Sequence, residues 1–277
     1  MEFLGASGHG LTVQEQAGLE VAMLYIQQSE KLDRGALAFW GKVTGDANDY
    51  LVCAATMPHY PFPAKKFYYT TVTKPETLQA VPDLTKEYGE HAAKLVQKPL
   101  VGDPAFPYPL PVAEGVEPPE PVVDANGDEV QPEVFREEHR LAFAVALIDH
   151  DCNVVPRGAY LVDAAHRVIR NGGFTGLGYE AAGMLTSYYH FRAPESEHCM
   201  MALEKPGIVR ASEFLDPISA DKPSGCFSLA YTASKTLATV RSFSWPGAFF
   251  YHVISTATYG NVYFGDGTPN TDIQFML

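Results

Sequence analysis

Apolar residues recur at helical spacing over the first 35 residues of the chain and form one stripe: Val13, Ala17, Val21, Leu24 and Leu32. Thr12 and Glu15 fit a capping box at the start of this predicted helix, and Gly35 is suited to its end. A second helix is predicted over 83–97, because one side of it is apolar and a proline follows: Leu84, Tyr88, Ala92, Leu95, then Pro99.

Short runs of strand-forming residues dominate the rest of the chain: 36–43, 49–57, 67–73, 226–231, 236–243, 248–254 and 262–264. The apolar run 140–148 predicts a buried strand that turns through 149–153 and returns over 154–162, and a third helix is predicted over 178–188. Several short strands at similar spacing favour an antiparallel sheet. The pattern predicts an α+β fold, mainly antiparallel β-sheet with a few helices, an N-terminal helix and a C-terminal β-rich region. We expect a single domain over 1–277.

Charge is concentrated in one stretch, residues 99–138, which we call the acidic segment. The whole chain carries a formal charge of -13, and the acidic segment contains ten acids and one base. Its many prolines disfavour helix and sheet interiors, so it is predicted to be a surface excursion of the domain. The strongly acidic balance argues against nucleic acid and anionic membranes as partners.

The remaining composition predicts an ordinary globular protein inside the cell. No apolar run approaches the length of a membrane-spanning helix, and no secretory signal is expected at the N-terminus. The four cysteines are far apart and are expected to be reduced, buried thiols: Cys53, Cys152, Cys199 and Cys226. We therefore expect a cytoplasmic location.

Two motifs suggest a nicotinamide-dependent short-chain reductase as an alternative function. The stretch 5–10 is glycine-rich, as in dinucleotide-binding loops, and Tyr231 precedes Lys235 at the spacing of a catalytic Tyr–Lys pair. However, too few residues precede Gly5 to form the strand such a loop requires. The segment 232–234 is predicted to be a hairpin rather than part of a helix. A flexible N-terminus and a β-turn are the preferred interpretation.

Metal sites receive less support than ordinary turns. Residues 124–129 resemble the opening of a calcium loop, but Gly127 stands at the fourth place, whereas an EF-hand needs glycine at the sixth. Asn126 and Gly127 favour a hairpin turn instead. The nine histidines show no zinc-binding spacing. No cofactor, metal or catalytic residue is therefore predicted.

An ordered set of stretches resembles the radial spoke head protein 9 family from about residue 11 to the end. These stretches are 37–45, 49–52, 101–104, 155–159, 174–177, 187–192, 203–205, 241–242, 245–247, 250–252, 259–265 and 275–277. The resemblance implies a non-catalytic structural subunit of the radial spoke head in motile cilia and flagella. Such a subunit is part of the axonemal cytoskeleton, and it helps to transmit central-pair contact to the dynein arms and to regulate ciliary motility.

The resemblance also implies partners. These are the paralogous radial spoke head proteins 4 and 6, other spoke head and neck subunits, and a second copy of the chain. Contact with central-pair projections would be transient. A soluble adaptor outside cilia is a further alternative.

Two groups of residues are candidates for assembly contacts. The densest aromatic group is either an assembly anchor or sheet core: Trp245, Phe249, Phe250 and Tyr251. The acidic segment is either a solvated loop or a repulsive, steering surface, with these residues as the candidate contacts: Glu114, Glu117, Glu120, Asp124, Asp128 and Glu129.

Overall fold

The computed structural model describes residues 5, 8–33, 35–109, 134–204 and 213–276, together with the backbone of 122–123 and 129–130. Most strands lie either before α2 or after α3. In chain order, the elements are α1 (Val13–Ser29), β1 (Leu37–Val43), β2 (Tyr50–Met57), β3 (Ala64–Thr71), β4 (Gln79–Ala80), α2 (Lys86–Leu95), β5 (Val122–Val123), β6 (Glu129–Val130), α3 (Glu137–Cys152), β7 (Val154–Pro156), β8 (Tyr160–Val162), β9 (Val168–Arg170), α4 (Tyr179–Ala182), β10 (Tyr188–His190), α5 (Glu197–Glu204), β11 (Phe227–Tyr231), β12 (Leu237–Ser242), β13 (Ala248–Val253), β14 (Tyr259–Gly265) and α6 (Ile273–Met276).

An eight-stranded sheet runs in the order β11-β12-β13-β14-β1-β2-β3-β4. Neighbouring strands are antiparallel, except that β1 and β14 are parallel, with Gly41 opposite Tyr263. The two central strands therefore come from opposite ends of the chain. The α+β fold and the mainly antiparallel sheet are confirmed, whereas the parallel pair has no counterpart in the sequence prediction.

The start of α1 is confirmed at atomic detail. The Glu15 N–H donates to the Thr12 hydroxyl at 3.2 Å, and the Thr12 N–H donates to the Glu15 carboxylate at 2.7 Å. This is the predicted capping box. The helix ends at Ser29, earlier than the glycine stop at Gly35 would place it.

α1 has two apolar sets, and the face that packs on the sheet is not the stripe that begins at Val13. Leu19 and Ile26 pack on the sheet, together with Ala22 on the same face. The predicted stripe lies on the other side of the helix, where its first four members are exposed, and the fifth is partly buried beyond the helix end: Val13, Ala17, Val21, Leu24 and Leu32. This helix carries apolar side chains on two faces, so periodicity alone does not indicate which face meets the sheet.

The apolar run 140–148 forms a helix, so the predicted strand and the predicted turn at 149–153 are both wrong. α3 includes 140–148 and continues as far as Cys152, and it buries side chains around most of its circumference, among them Leu141, Val145 and Ile148. A helix that is packed on several sides lacks a polar face, and its pattern is hard to distinguish from that of a buried strand. After α3, β7 and β8 occupy parts of the predicted return over 154–162.

The remaining helices agree with the prediction to different degrees. α2 is confirmed, with Tyr88 and Ala92 buried and Leu84 and Leu95 packed beside them. The helix predicted over 178–188 is too long, since α4 is a single turn that is followed by a short 3₁₀ helix and then by β10. α5 is not predicted at all, although its residues pack against β7 and β8.

Both ends of the acidic segment are anchored through the fully buried Glu137. Its Oε1 accepts hydrogen bonds from the Tyr50 hydroxyl and the Gly102 N–H, both at 2.6 Å. Its Oε2 accepts from the Val101 N–H at 2.7 Å and from the Tyr108 hydroxyl at 3.0 Å. Burial raises the pKa of Tyr50, and the Glu137 carboxylate raises this pKa further, so the hydroxyl stays a donor. One carboxylate thus holds a loop, a strand and a helix together.

Between these ends, β5 and β6 pair antiparallel, with Val122 opposite Val130 and Val123 opposite Glu129. This pairing confirms a hairpin that connects β5 to β6. The turn residues 124–128 themselves lie outside the described residues.

The core lies on both faces of the sheet. One face packs against α3 through side chains such as Trp40 and Val52, and the other packs against α1 through Leu51 and Cys53. All four cysteines are buried free thiols, as predicted. Burial raises the pKa of the Cys53 thiol to about 12 and that of the Cys226 thiol to about 11, so both stay protonated near neutral pH.

His252 is expected to make the fold less stable in acid. The side chain is fully buried on β13, and its Nε2 accepts from the Leu177 N–H at 3.4 Å. Burial lowers the pKa of His252, and a bond with the Thr256 backbone opposes this in part. The unfolded chain therefore binds a proton near pH 6.5 that the folded chain does not yet bind. Stability should fall as pH drops below about 6.5, by at most about 1.4 kcal/mol per pH unit.

Urea unfolding between pH 7.5 and pH 5.5 measures this effect. The variant His252→Asn should show a shallower pH slope than the wild-type chain. The variant His198→Asn, at an exposed position in α5, should keep the wild-type slope. An unchanged slope in the His252 variant would assign the acid sensitivity to other groups.

Candidate assembly surfaces

The structure places the aromatic candidate group within the sheet and its core. Trp245 is buried, and its Nε1–H donates to Asp151 Oδ2 at 2.8 Å. Phe250 is buried on the α3 side of the sheet, whereas Phe249 is buried on the opposite face, with the Arg241 guanidinium 5.6 Å from its ring centre. Tyr251 is partly buried beside Phe249. These four side chains stabilise the sheet in this conformation, and their role in assembly stays a prediction.

The acidic candidates fall mainly outside the described residues. This applies to Glu114, Glu117, Glu120, Asp124 and Asp128. Glu129 is described by its backbone alone, within β6. Their role as a contact surface therefore also stays a prediction.

The geometry does not assemble the reductase motif. Tyr231 ends β11, and its hydroxyl donates to the Tyr179 carbonyl at 2.5 Å. Lys235 lies in the turn before β12, so the two residues do not share a helix face. In the glycine-rich stretch, the His9 ring stacks on Phe264 with centroids 5.3 Å apart. The first strand of the described chain is β1, which follows α1 instead of preceding the glycines.

No group of three or more His, Cys, Asp or Glu side chains in the described ranges is arranged to hold a metal ion. No helix in the described part of the chain combines the length and the apolar character that crossing a bilayer requires.

The outer face of α1 (Val13, Ala17, Val21, Leu24 and Tyr25) presents several apolar side chains to solvent. Val13 is 86% exposed, Tyr25 71%, Val21 63% and Leu24 58%. These side chains together expose roughly a few hundred Å² of apolar area, the range in which patches mark interaction sites. The helix contains no Lys or Arg, and Glu20 is its one exposed acid. The outer face is therefore apolar and nearly uncharged.

A partly buried ion pair fixes the orientation of this helix. Lys42 on β1 contacts Glu15 at 2.9 Å and Asp49 at 3.0 Å. Burial raises the Glu15 pKa, but the bonds from Lys42 and Thr12 outweigh burial, so this pKa lies below its usual value. Burial likewise lowers the pKa of Lys42, and its two carboxylate partners reverse this shift. The ion pair holds the N-terminal turn of α1 on the sheet, which leaves the outer face of α1 turned to solvent.

The sequence contains the signal for this surface, because the stripe that begins at Val13 is not the only apolar set on the helix. Leu19, Ala22 and Ile26 form a second apolar set at helical spacing, beside the stripe that begins at Val13. The sheet covers only one face of such a helix. The second apolar face is left exposed, and it indicates an interaction surface.

Comparison with known proteins decides the family. No family model matches the chain. However, the chain is 31% identical to a radial spoke head protein 9 homolog of Bos taurus, 30% to that of Homo sapiens and 31% to that of Danio rerio. Each match covers 100% of this chain and 97% of the relative. The chain belongs to the radial spoke head protein 9 family. The resemblance found in the sequence is thus confirmed, and the outer face of α1 lies within the part shared with radial spoke head protein 9 relatives.

Proposed function

We propose that this chain is a non-catalytic structural subunit of the radial spoke head in the axoneme of motile cilia. In this role it helps to transmit central-pair contact to the dynein arms and to regulate ciliary motility. The observation that carries the proposal is the full-length match, at 30% and 31% identity, to relatives named radial spoke head protein 9. Its partners are the paralogous head proteins 4 and 6, other head and neck subunits, and a second copy of the chain.

The outer face of α1 supports an assembly role and gives the paralogous head proteins a place to bind. The apolar residues recur every three or four positions along a helix of 17 residues, which is the spacing by which helices pack on one another. A nearly uncharged face also lets another subunit approach this acidic chain with little electrostatic repulsion. We therefore assign this face to an apolar helix of a paralogous head protein.

Two charges on this face are expected to abolish that contact and leave the fold intact. Val21→Glu with Leu24→Glu places carboxylates at exposed positions, so stability should change by less than about 1 kcal/mol. Binding should fall, because both carboxylates would have to lose water at the interface. The measurement is copurification with head proteins 4 and 6 after coexpression, and incorporation into spoke heads in cells that lack the native chain.

A matched control places the same charges elsewhere. Met200→Glu with Met201→Glu changes two exposed methionines of α5, and this variant should copurify as the wild-type chain does. Equal recovery of partners by both double variants would rule out the outer face of α1. Absence of the wild-type chain from axonemes would refute the spoke-head proposal itself.

The acidic segment is proposed to act as a repulsive surface toward the central pair. The support is its composition, since ten acids and one base lie within forty residues. A contact that forms and breaks in every beat has to transmit force without adhesion, and like charges or weak, screened contacts meet this requirement.

Neutralising the six acidic candidates should therefore increase adhesion between the head and the central pair and make the beat irregular. Waveform analysis of cilia that carry Glu→Gln and Asp→Asn changes at these positions measures the effect. Normal beating of such cilia would show that the segment is a solvated loop.

A further inference from the structure

The two edges of the main sheet differ in how far they are protected against pairing with another strand. At one edge, β4 has two residues, whereas β11 at the other edge has five. Proteins commonly protect an edge by a very short strand, a charge, a proline or a bulge. β11 has the sequence Phe-Ser-Leu-Ala-Tyr and pairs with β12 without a register shift. It therefore has none of these protections.

The hydrogen-bond register shows which backbone groups of β11 are open. Just outside the strand, the Phe243 N–H donates to the Cys226 carbonyl, and the Thr232 N–H donates to the Leu237 carbonyl. Bonding residues alternate along an antiparallel pair. Ser228 and Ala230 therefore bond toward β12. The backbone N–H and C=O groups of residues 227, 229 and 231 therefore point to the open edge, away from β12. Over the described ranges, β12 is the one strand that neighbours β11.

Exposed apolar side chains lie next to this edge. The Tyr231 ring stacks on Tyr179 with centroids 4.8 Å apart, and Tyr179 is itself exposed. Gly183 lies against the Tyr231 hydroxyl, and the following residue, Met184, is exposed as well. An incoming strand would therefore find apolar contacts beside the open backbone groups.

Charge at this edge does not follow the overall acidity of the chain. The exposed charged residues on β12, in the adjoining turns and on α4 are mixed: Glu180, Lys222, Lys235 and Arg241. The acidic segment meets the sheet near β1, where Leu100 bridges Gly45. β1 lies four strands from β11, or roughly 19 Å at the usual strand spacing. The described charges beside β11 therefore do not oppose the approach of a second acidic chain.

We propose that two copies of this chain associate through β11, which pairs antiparallel with β11 of the second copy about a two-fold axis at Leu229. Phe227 of each copy then lies opposite Tyr231 of the other, an aromatic pair on one face of the sheet. Ser228 lies opposite Ala230 on the other face, where both side chains are small. No charge is buried, and the open groups at 227, 229 and 231 are satisfied in both copies. The contact is isologous, as a two-fold dimer requires.

This inference deepens the proposed function, because it assigns a surface to the contact between two copies. It is tested on the purified full chain, so its failure leaves the spoke-head proposal standing. Sedimentation velocity across about 1–100 µM should show the wild-type chain moving from the 30.3 kDa monomer toward twice that mass.

Two double variants test the register. S228K/A230K places lysines opposite lysines across the two-fold axis and should raise the dissociation constant at least about tenfold. S228K/A230E places each new lysine opposite a new glutamate and should stay close to wild type. The control Q79K/A80K adds two lysines to the short edge strand β4 and should also associate as wild type does. Thermal unfolding identifies the variants that are folded.

A wild-type chain that stays monomeric over the whole range would overturn the proposal and leave β11 to a strand of another protein. Wild-type association of S228K/A230K would overturn it too, because the contact would then lie elsewhere. Equal weakening of both double variants would exclude the antiparallel register.

Discussion

Replacing Glu137 with alanine should destabilise the fold by about 4 kcal/mol, since each buried donor left without an acceptor costs roughly 1–3 kcal/mol. The carboxylate accepts four hydrogen bonds at 2.6–3.0 Å, two from backbone N–H groups and two from tyrosine hydroxyls. Without it, Tyr50 keeps a buried hydroxyl in the core, and the loop at Val101 and Gly102 loses its attachment to α3.

Urea unfolding followed by tryptophan fluorescence measures this loss. Glu138→Ala is the matched control, because this neighbouring carboxylate is partly exposed and accepts from the Tyr69 hydroxyl at 3.2 Å. We expect a loss of about 1 kcal/mol or less for the control. Similar losses of unfolding free energy for the two variants would mean that the burial of Glu137 does not determine how much it stabilises the fold.

Gly247→Ala, at the residue that precedes β13, is expected to lower the free energy of unfolding by about 3 kcal/mol or more. Gly247 has φ of 99°, in the left-handed region that side chains disfavour, and a Cβ there would lie 2.0 Å from the Phe264 carbonyl oxygen. The backbone of β14 would have to move, and that would disturb its pairing with β13 and β1.

The same substitution at Gly89 should have the opposite sign. Gly89 lies inside α2, and a Cβ there would meet no atom within 4 Å. Alanine should stabilise the helix by up to about 1 kcal/mol. Thermal unfolding of the two variants side by side checks both signs, and a stable Gly247→Ala variant would show that β14 adapts easily.

Local signals in the sequence predicted local structure well. The capping box at Thr12 and the strand runs of both sheet halves depend on neighbouring residues, and the structure confirms them. α3 was missed because its burial on several sides removes the polar face that identifies a helix. The pairing of β1 with β14 was missed because it joins residues more than 200 positions apart, and no local pattern encodes such a contact.

The assembly surfaces likewise depend on contacts between residues that are distant in the sequence. The chain contains two apolar faces on α1, but the choice between core and surface depends on which face the Lys42–Glu15 ion pair and Leu19 hold against the sheet. The open edge at β11 depends on strand order, which is a property of the complete sheet. The family resemblance was found from the sequence because it requires only an ordered set of short stretches.

The parallel pairing of β1 with β14 has a consequence for biosynthesis. β1 leaves the ribosome before its partner β14 is made, because more than 200 residues separate the two strands along the chain. Until then, β1 presents a free edge, and the nascent chain is exposed to aggregation and to chaperones. A chain shortened before residue 259 would lack a central strand and would not form a smaller stable version of the fold. Premature stop codons anywhere upstream should therefore have the same outcome as loss of the gene.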